Sequence, residues 1–367
     1  MMHNISRTTA RVAVLAGCAL VALGCQVPTD LPVWNTVWQV PADSSEVTVA
    51  SLLPSSVAIV DVDASTKAFS FSLPEATTST TLGETCYPCA AAAGRRIPKP
   101  EFTLADSATV NLPTDVVTAE IIGGAIDYTL TNGFDFDPMN PGPARGWMRI
   151  LVTSGSTIIA RDSINGASLA MPSGATTNRS IRFLASQAAP IHINGPVTVT
   201  ATLFSPAGDS VTINTSEQFS VAASAHDIRI SKVAVNVPTT TFTPQHGVVD
   251  LSGLDQASAG KIAGGAVILS VRNPFAVGGS LSLDLRAPNG AHVVKGFTLN
   301  VGGAGSAPST IRLGLNASEI NSLVGQKDVA ITISGSISSP NGAVTVTPVE
   351  LMAITTIVEA TIATGGN

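Results

Sequence analysis

The stretch of sequence that decides the fold of this 367-residue chain occurs twice. Residues 262–275 read IAGGAVILSVRNPF, and residues 121–134 read IIGGAIDYTLTNGF. A second pair of landmarks follows in the same order, because Ser205-Pro206 is matched by Ser339-Pro340. Matched landmarks in one order predict a tandem duplication. A duplication defines architecture and leaves the chemistry of the protein open.

The composition of the chain favours an all-β body. Hydrophobic residues make up 44% of the sequence, while charged residues make up 12% and aromatic residues 4%. The hydrophobic fraction excludes a disordered chain. Abundant Gly, Ser, Thr and Val, with few charges, is typical of many short strands joined by tight turns.

Hydrophobic residues recur with a period of two in both repeats. In the second repeat Leu281, Leu283 and Leu285 alternate with polar residues. In the first repeat Met148, Ile150 and Val152 alternate with Trp147, Arg149 and Leu151. This period predicts strands with one buried face and one wetter face. One short helix is predicted over residues 316–325, where Asn316 and Glu319 form a capping box and Gly325 ends the helix.

These patterns predict an all-β protein with two tandem β-sandwich repeats of immunoglobulin-like or fibronectin-like type. A smaller N-terminal β region and a cleaved signal peptide precede them. The predicted segments are a signal peptide at 1–24, the N-terminal region at 25–112, and sandwich repeats at 113–237 and 243–363.

The segment from Leu269 to Phe275, with Asn273-Pro274 at its end, resembles the late-embryogenesis-abundant type 2 domain, also called the water-stress and hypersensitive-response domain. In that family a strand of an immunoglobulin-like or fibronectin-like sandwich ends at such an Asn-Pro. The first repeat departs from the motif, because Gly133 stands in place of the proline. The resemblance implies a sandwich fold and no catalytic residues.

The N-terminus carries the features of an export signal. Arg7 and Arg11 precede an apolar run at residues 12–23, which is too short to span a bilayer as a helix. Ala22-Leu23-Gly24-Cys25 resembles the lipobox of bacterial lipoproteins, which implies a lipid on Cys25 after cleavage. Gln26 after the cysteine indicates the outer membrane. The other interpretation is an ordinary signal peptide beside a conventional cleavage site.

Charge makes nucleic acid an unfavourable partner. Without Arg7 and Arg11 the mature chain carries 17 Lys and Arg against 25 Asp and Glu, a net charge of −8. Such a surface repels phosphate backbones. The partner predicted from the sequence is a membrane, contacted through the N-terminal lipid at the bacterial cell envelope.

Two tryptophans, Trp34 and Trp38, follow the proposed lipid site closely. Their spacing places both indoles on one face of a strand or of a helix. They either lie at the lipid headgroups or pack on the first strand pair. The second interpretation is favoured, because buried aromatic rings dominate small cores.

Cys86 and Cys89 are the two other mature cysteines. A Cys-x-x-Cys pair could act in redox chemistry if it lay at the start of a helix that lowers the thiolate pKa. Pro88 and the short alanine run after it offer little helix, and zinc would need four ligands. In an oxidising compartment the pair predicts a local disulfide.

The inserted loop of the first repeat contains a weak candidate for a metal site. Asp135, Asp137 and Asn140 place oxygen ligands at positions one, three and six of the loop, a spacing similar to that of calcium loops. The glycine and bidentate glutamate of such loops are missing, so a polar turn is favoured over a metal. No cofactor is expected.

Three functions remain open. The leading hypothesis is an envelope-anchored, non-enzymatic lipoprotein that acts as a binding or structural scaffold. The alternative is a carrier of lipid or another apolar ligand at the membrane, which would hold acyl chains between its sheets. The third is a thiol oxidoreductase that uses Cys86 and Cys89.

Overall fold

The computed structural model describes residues 34–254 and 260–364. Strands account for 57% of the residues and helices for 6%, which confirms the predicted all-β class. The signal peptide and Cys25 lie outside the described residues.

The strands and the few short helices lie in three consecutive parts of the chain. The N-terminal part contains β1 (Trp34–Pro41), β2 (Ser45–Thr48), a 3₁₀ turn (Val49–Ser51), β3 (Ala58–Asp61), β4 (Lys67–Ser70), β5 (Ala76–Thr81), α1 (Leu82–Thr85), α2 (Tyr87–Ala91) and β6 (Arg96–Pro98). The middle part contains β7 (Phe102–Val110), β8 (Val116–Asn132), β9 (Trp147–Ser154), β10 (Thr157–Asn165), β11 (Thr176–Arg182), β12 (Ile191–Ile193), β13 (Val197–Ser205), β14 (Ser210–Thr212) and β15 (Gln218–Val235). The last part contains β16 (Thr240–Val249), β17 (Ile262–Arg272), β18 (Gly278–Arg286), β19 (His292–Leu299), β20 (Ser309–Leu315), α3 (Ala317–Leu323), β21 (Val329–Ser338), β22 (Val344–Val346) and β23 (Leu351–Thr364).

Two antiparallel sheets pack face to face in the first unit. One has the order β5-β15-β8-β11, and the other has the order β7-β13-β9-β10. Buried residues alternate with exposed ones along β9 and β13, so each strand turns one face to the core and one to solvent. The sheets also meet at their edges, where β5 contacts β7 and β10 contacts β11.

The second unit has the same arrangement of strands. One sheet has the order β1-β23-β17-β20, with β2 also paired to β23, and the other has the order β16-β21-β18-β19. In this unit β2 contacts β16 and β19 contacts β20, as the edge strands of the first unit do. Each strand of the second unit therefore has a counterpart in the first.

The N-terminal segment does not form a region of its own, which corrects the predicted boundaries at residues 25–112 and 113–237. β1 and β2 pair with β23 of the second unit, β5 pairs with β15, and β7 pairs with β13. The first unit consequently includes strands that precede residue 113, from β4 onward. Short strands cannot bury a face alone, so each completes the edge of a sheet that already has a core.

A buried asparagine closes the corresponding strand in each unit. Asn132 at the end of β8 accepts a hydrogen bond from the N–H of Phe134 and donates to the carbonyl of Phe136. Asn273 does the same after β17, with the N–H of Phe275 and the carbonyl of Val277. Both asparagines are at most 6% exposed. The Asn shared by the two duplicated stretches is thus a structural bond donor and acceptor at a strand end.

The predicted short helix is observed. Pro288-Asn289-Gly290 and Pro340-Asn341-Gly342 both have the residues of a hairpin turn, which predicts two hairpins, and one of them is observed. α3 begins after Asn316, whose side chain accepts the N–H of Glu319 while the Glu319 carboxylate accepts the N–H of Asn316. The turn at Asn289-Gly290 joins the antiparallel pair β18 and β19, with Gly290 at a φ of 88°. The turn at Gly342 does not make a hairpin, because β22 leaves β21 and pairs with β15 of the first unit.

Candidate binding surface

The inserted loop at Asp135–Arg145 uses its oxygens within the protein. The carboxylate of Asp137 accepts the N–H groups of Met139 at 2.8 Å, Asn140 at 3.0 Å and Met171 at 3.0 Å. The side-chain oxygen of Asn140 accepts a bond from Arg145 at 2.7 Å. These are the bonds of a polar turn. Among the described residues, no three His, Cys, Asp or Glu side chains are placed to hold a metal ion.

Cys86 and Cys89 are joined by a disulfide across the start of α2. Both cysteines are at most 1% exposed, while Tyr87 between them is 87% exposed. The Cys86 sulfur also accepts the N–H of Cys89 at 3.2 Å. Thiol exchange needs a partner thiolate to reach a sulfur, and the burial of both sulfurs restricts that approach.

Lys99 is buried in a cage of carbonyl groups, with 1% of its surface exposed. Its ammonium donates to the carbonyls of Pro100 at 2.8 Å, Pro206 at 2.5 Å and Ser205 at 3.4 Å. The same nitrogen lies 4.6 Å from the ring centroid of Phe102. Burial lowers the pKa of Lys99 to about 7, and the charge of Glu101 opposes that shift. The cage fastens the start of β7 to the end of β13.

A second polar group ties β8, β10 and β11 together at one side of the first unit. Tyr128 donates its hydroxyl hydrogen to the carboxylate of Asp162. Arg179 donates to the hydroxyl oxygen of Tyr128 at 3.1 Å and to the carboxylate of Asp162 at 3.2 Å. Burial raises the pKa of Tyr128, and the bond to Asp162 adds to this shift. Burial also raises the pKa of Asp162, but its hydrogen bonds and the charge of Arg179 hold that pKa below its ordinary value. All three side chains are therefore committed to one another.

A small apolar cavity lies between the two sheets of the first unit. It is lined by side chains from both sheets, among them Ile121, Val152 and Phe183, and has a volume of about 30 Å³. That is about the share of liquid volume that one water molecule takes.

The outward face of the sheet β7-β13-β9-β10 carries an unusual group of side chains, which we name the aromatic–arginine face. It consists of Trp147 and Arg149 on β9, Arg161 on β10 and Phe204 on β13. The rings of Trp147 and Phe204 are directly opposite in register, with centroids 6.0 Å apart and planes 22° apart. Arg149 lies with its guanidinium carbon 5.8 Å from the Trp147 ring. Trp147 remains 39% exposed.

A shallow groove of about 560 Å³ runs beside these rings. Its lining consists of Arg149, Leu151, Ile158, Arg161, Asp162 and Ser163. Asp162 lies at its rim, where its carboxylate is already bonded to Tyr128 and Arg179. In the ranges 34–254 and 260–364, neither Arg149 nor Arg161 forms an ion pair.

The alternation along β9 identified Trp147 and Arg149 as the wetter face of a strand, but it did not identify a site. The members of the aromatic–arginine face come from three strands, and β13 is far from the other two in the sequence. Only strand pairing brings them together, since Phe204 faces Trp147 and Ser163 faces Arg149 in register.

Trp34 and Trp38 lie on the edge strand β1 and are 69% and 47% exposed. The favoured prediction, that both indoles pack on the first strand pair, is wrong for Trp34, while Trp38 buries about half of its surface. β1 is an edge strand of the second unit, and its side chains on both faces are largely exposed.

Comparisons with known proteins add little to this description. No family model and no curated protein matches the chain. Among solved structures, a protein of Parabacteroides distasonis assigned as secreted has 9% identity and a TM-score of 0.29, covering 89% of this chain and 99% of its own. The cryo-EM structure of broad bean stain virus has 8% identity and a TM-score of 0.18, covering 75% and 92%. In the described ranges, no helix has the length and apolar character needed to cross a membrane.

Proposed function

We propose that the protein is exported, carries a lipid on Cys25 at the outer membrane, and acts without catalysis as a binding and scaffold protein. The observation that carries the proposal is the aromatic–arginine face. Two near-parallel rings lie there on solvent-exposed sheet, beside two guanidinium groups that form no ion pair with any described residue. The rings leave apolar surface in water, and a binding partner can bury it while pairing with the guanidinium groups.

The sequence before β1 supports attachment. A charged start, an apolar run and the lipobox-like residues before Cys25 form the expected order of an exported lipoprotein. Acyl chains on one cysteine contribute about 0.8 kcal/mol for each buried CH₂ group. The disulfide between Cys86 and Cys89 supports export, because such bonds persist in oxidising compartments.

Lipid transport is not proposed as a second function. A carrier must enclose acyl chains, and the cavity between the sheets of the first unit has a volume of only about 30 Å³. Side chains from both sheets fill the rest of that interior, including Met148 on β9, Leu203 on β13 and Phe219 on β15, all buried.

Lipid attachment is tested by metabolic labelling with radioactive palmitate. We expect label in the wild-type chain and none in Cys25→Ala. Cys18→Ala is the matched control, because Leu15-Ala16-Gly17-Cys18 is a second lipobox-like sequence in the same segment. Label that disappears in Cys18→Ala, or that never enters the wild-type chain, would show that the proposed anchor is wrong.

A further inference from the structure

The duplication provides an internal comparison for the aromatic–arginine face. Strand register aligns Ser205 with Ser339, so Phe204 corresponds to Ser338 and Trp147 corresponds to Gly278. By the same register the second unit has Ser280 in place of Arg149, Ser282 in place of Leu151 and Gly296 in place of Arg161. The fold forms with small residues at all five positions. The large side chains of the first unit are therefore not needed to build the sheet.

The two rings form a stacked aromatic pair. Trp147 and Phe204 lie on adjacent strands with centroids 6.0 Å apart and planes 22° apart, and Trp147 remains 39% exposed. A sugar ring presents a flat face of C–H groups that packs on an aromatic ring of this kind, since apolar contact and the ring's negative face both favour it. Thr200 and Thr202 on β13 and Ser163 on β10 share this face, and their hydroxyl groups can donate to and accept from sugar hydroxyls.

The charges of the face favour an anionic ligand. Arg149 and Arg161 are exposed, and the outward positions of β7, β13, β9 and β10 contain no acidic residue. Of the residues that the structure describes, Asp162 is the one carboxylate that lines the groove, and it is paired with Arg179. In a mature chain of net charge −8 this is a local reversal of sign. A guanidinium binds a carboxylate or sulfate through two parallel N–H bonds.

Resting on the proposed function, we propose that the aromatic–arginine face binds an acidic polysaccharide. The sugar rings pack along Trp147 and Phe204, while Arg149 and Arg161 bind the anionic substituents in the adjacent groove.

The test measures binding of the full lipidated chain, in non-ionic detergent, by isothermal titration calorimetry. Polygalacturonate and dextran sulfate are the two probes, and they distinguish a carboxylate from a sulfate as the preferred anion. Unmodified dextran lacks the charge, and polyglutamate lacks the sugar. We expect saturable binding to at least one of the two probes and none to dextran or polyglutamate.

Three variants connect binding to the face. Trp147→Ser and the double variant Arg149→Ser, Arg161→Gly should each weaken binding about tenfold or more, since a loss of about 1.4 kcal/mol is tenfold. Arg272→Ser removes an exposed arginine elsewhere and should bind as the wild type does. Thermal unfolding checks that each variant is folded. The fold should tolerate the substitutions to Ser and Gly, because the second unit has small residues at the corresponding positions.

Several results would overturn the proposal. These are no binding to either probe, equal binding to dextran or polyglutamate, and unchanged binding in the Trp147 and arginine variants. Each leaves the labelling of Cys25 unaffected, so failure of the ligand class is distinguishable from failure of the lipid anchor. A chain that binds polygalacturonate but never incorporates palmitate would show that the lipid anchor is wrong while the ligand class is right.

Discussion

At the scale of single residues, Lys99 is the most deeply buried charged side chain in the described part of the chain. Its ammonium group is held by three carbonyls, and burial lowers its pKa to about 7, close to physiological pH.

Lys99 should make stability depend on pH in the alkaline range. Its pKa is about 7 in the folded protein and about 10.4 in an unfolded chain, so the unfolded state binds the extra proton between these values. Its contribution is present above the unfolded pKa and is lost as the pH falls toward 7. We expect the free energy of unfolding to rise with pH over this window by at most about 1.4 kcal/mol per pH unit.

Denaturant unfolding between pH 7 and pH 10 measures this dependence. Lys99→Met should remove that part of the slope, while Lys67→Met on the exposed side of β4 should retain it. An identical slope in Lys99→Met and the wild type would show that the buried amine does not titrate in this window.

At the scale of strands, the two asparagines show how a duplicated residue adapts to two different loops. Besides the bonds common to both, Asn132 donates to the carbonyls of Met171 at 2.7 Å and Pro172 at 3.1 Å. Asn273 donates to the carbonyl of Asn300 at 3.2 Å. The asparagine of the first unit thus bonds to a longer loop, between β8 and β9, than the asparagine of the second unit does between β17 and β18.

Removing either amide should cost stability, and the first should cost more. Asn132→Ala leaves several buried carbonyls without a donor, and each such loss costs about 1–3 kcal/mol. We expect a decrease of about 2–4 kcal/mol in the free energy of unfolding for Asn132→Ala and a smaller one for Asn273→Ala. Asn178→Ala, on β11, is the control and should change stability by less than about 0.5 kcal/mol. Equal effects in all three variants would refute the structural role of the strand-end amide.

At the scale of the whole molecule, the two units are interlocked by the path of the chain. β1 and β2 complete a sheet of the second unit before the chain enters the first unit through β4, β5 and β7. β22 later returns from the second unit to pair with β15. The buried side chains of both units form one continuous cluster. Neither unit is therefore made from one uninterrupted segment.

Interlocking should make thermal unfolding a single transition. Ile150→Ala in the first core and Leu283→Ala in the second should each cost about 2–5 kcal/mol and should each lower the midpoint of the same transition. Differential scanning calorimetry measures this. Two peaks, of which each variant shifts only one, would show that the units unfold independently.

Local patterns allowed much of the fold to be predicted. Alternation placed Leu281, Leu283 and Leu285 in the core, and the capping residues Asn316 and Glu319 placed α3. The immunoglobulin-like or fibronectin-like type of the repeats stays a prediction, as does the lipid on Cys25. The candidate site could be predicted only in part. The alternation along β9 places Trp147 and Arg149 on one outward face, but it does not show which residues of other strands lie beside them.

The sequence by itself determined the strand content, the buried face of each strand and the duplicated order of the landmarks. These follow from residues within a few positions of one another, where side-chain direction alternates with a fixed period. Only the tertiary structure decided which strands complete which sheet and which side chains share the aromatic–arginine face. Those depend on the register of strands distant in sequence, and the free energy that selects a register comes from the packing of whole sheets rather than from any single strand.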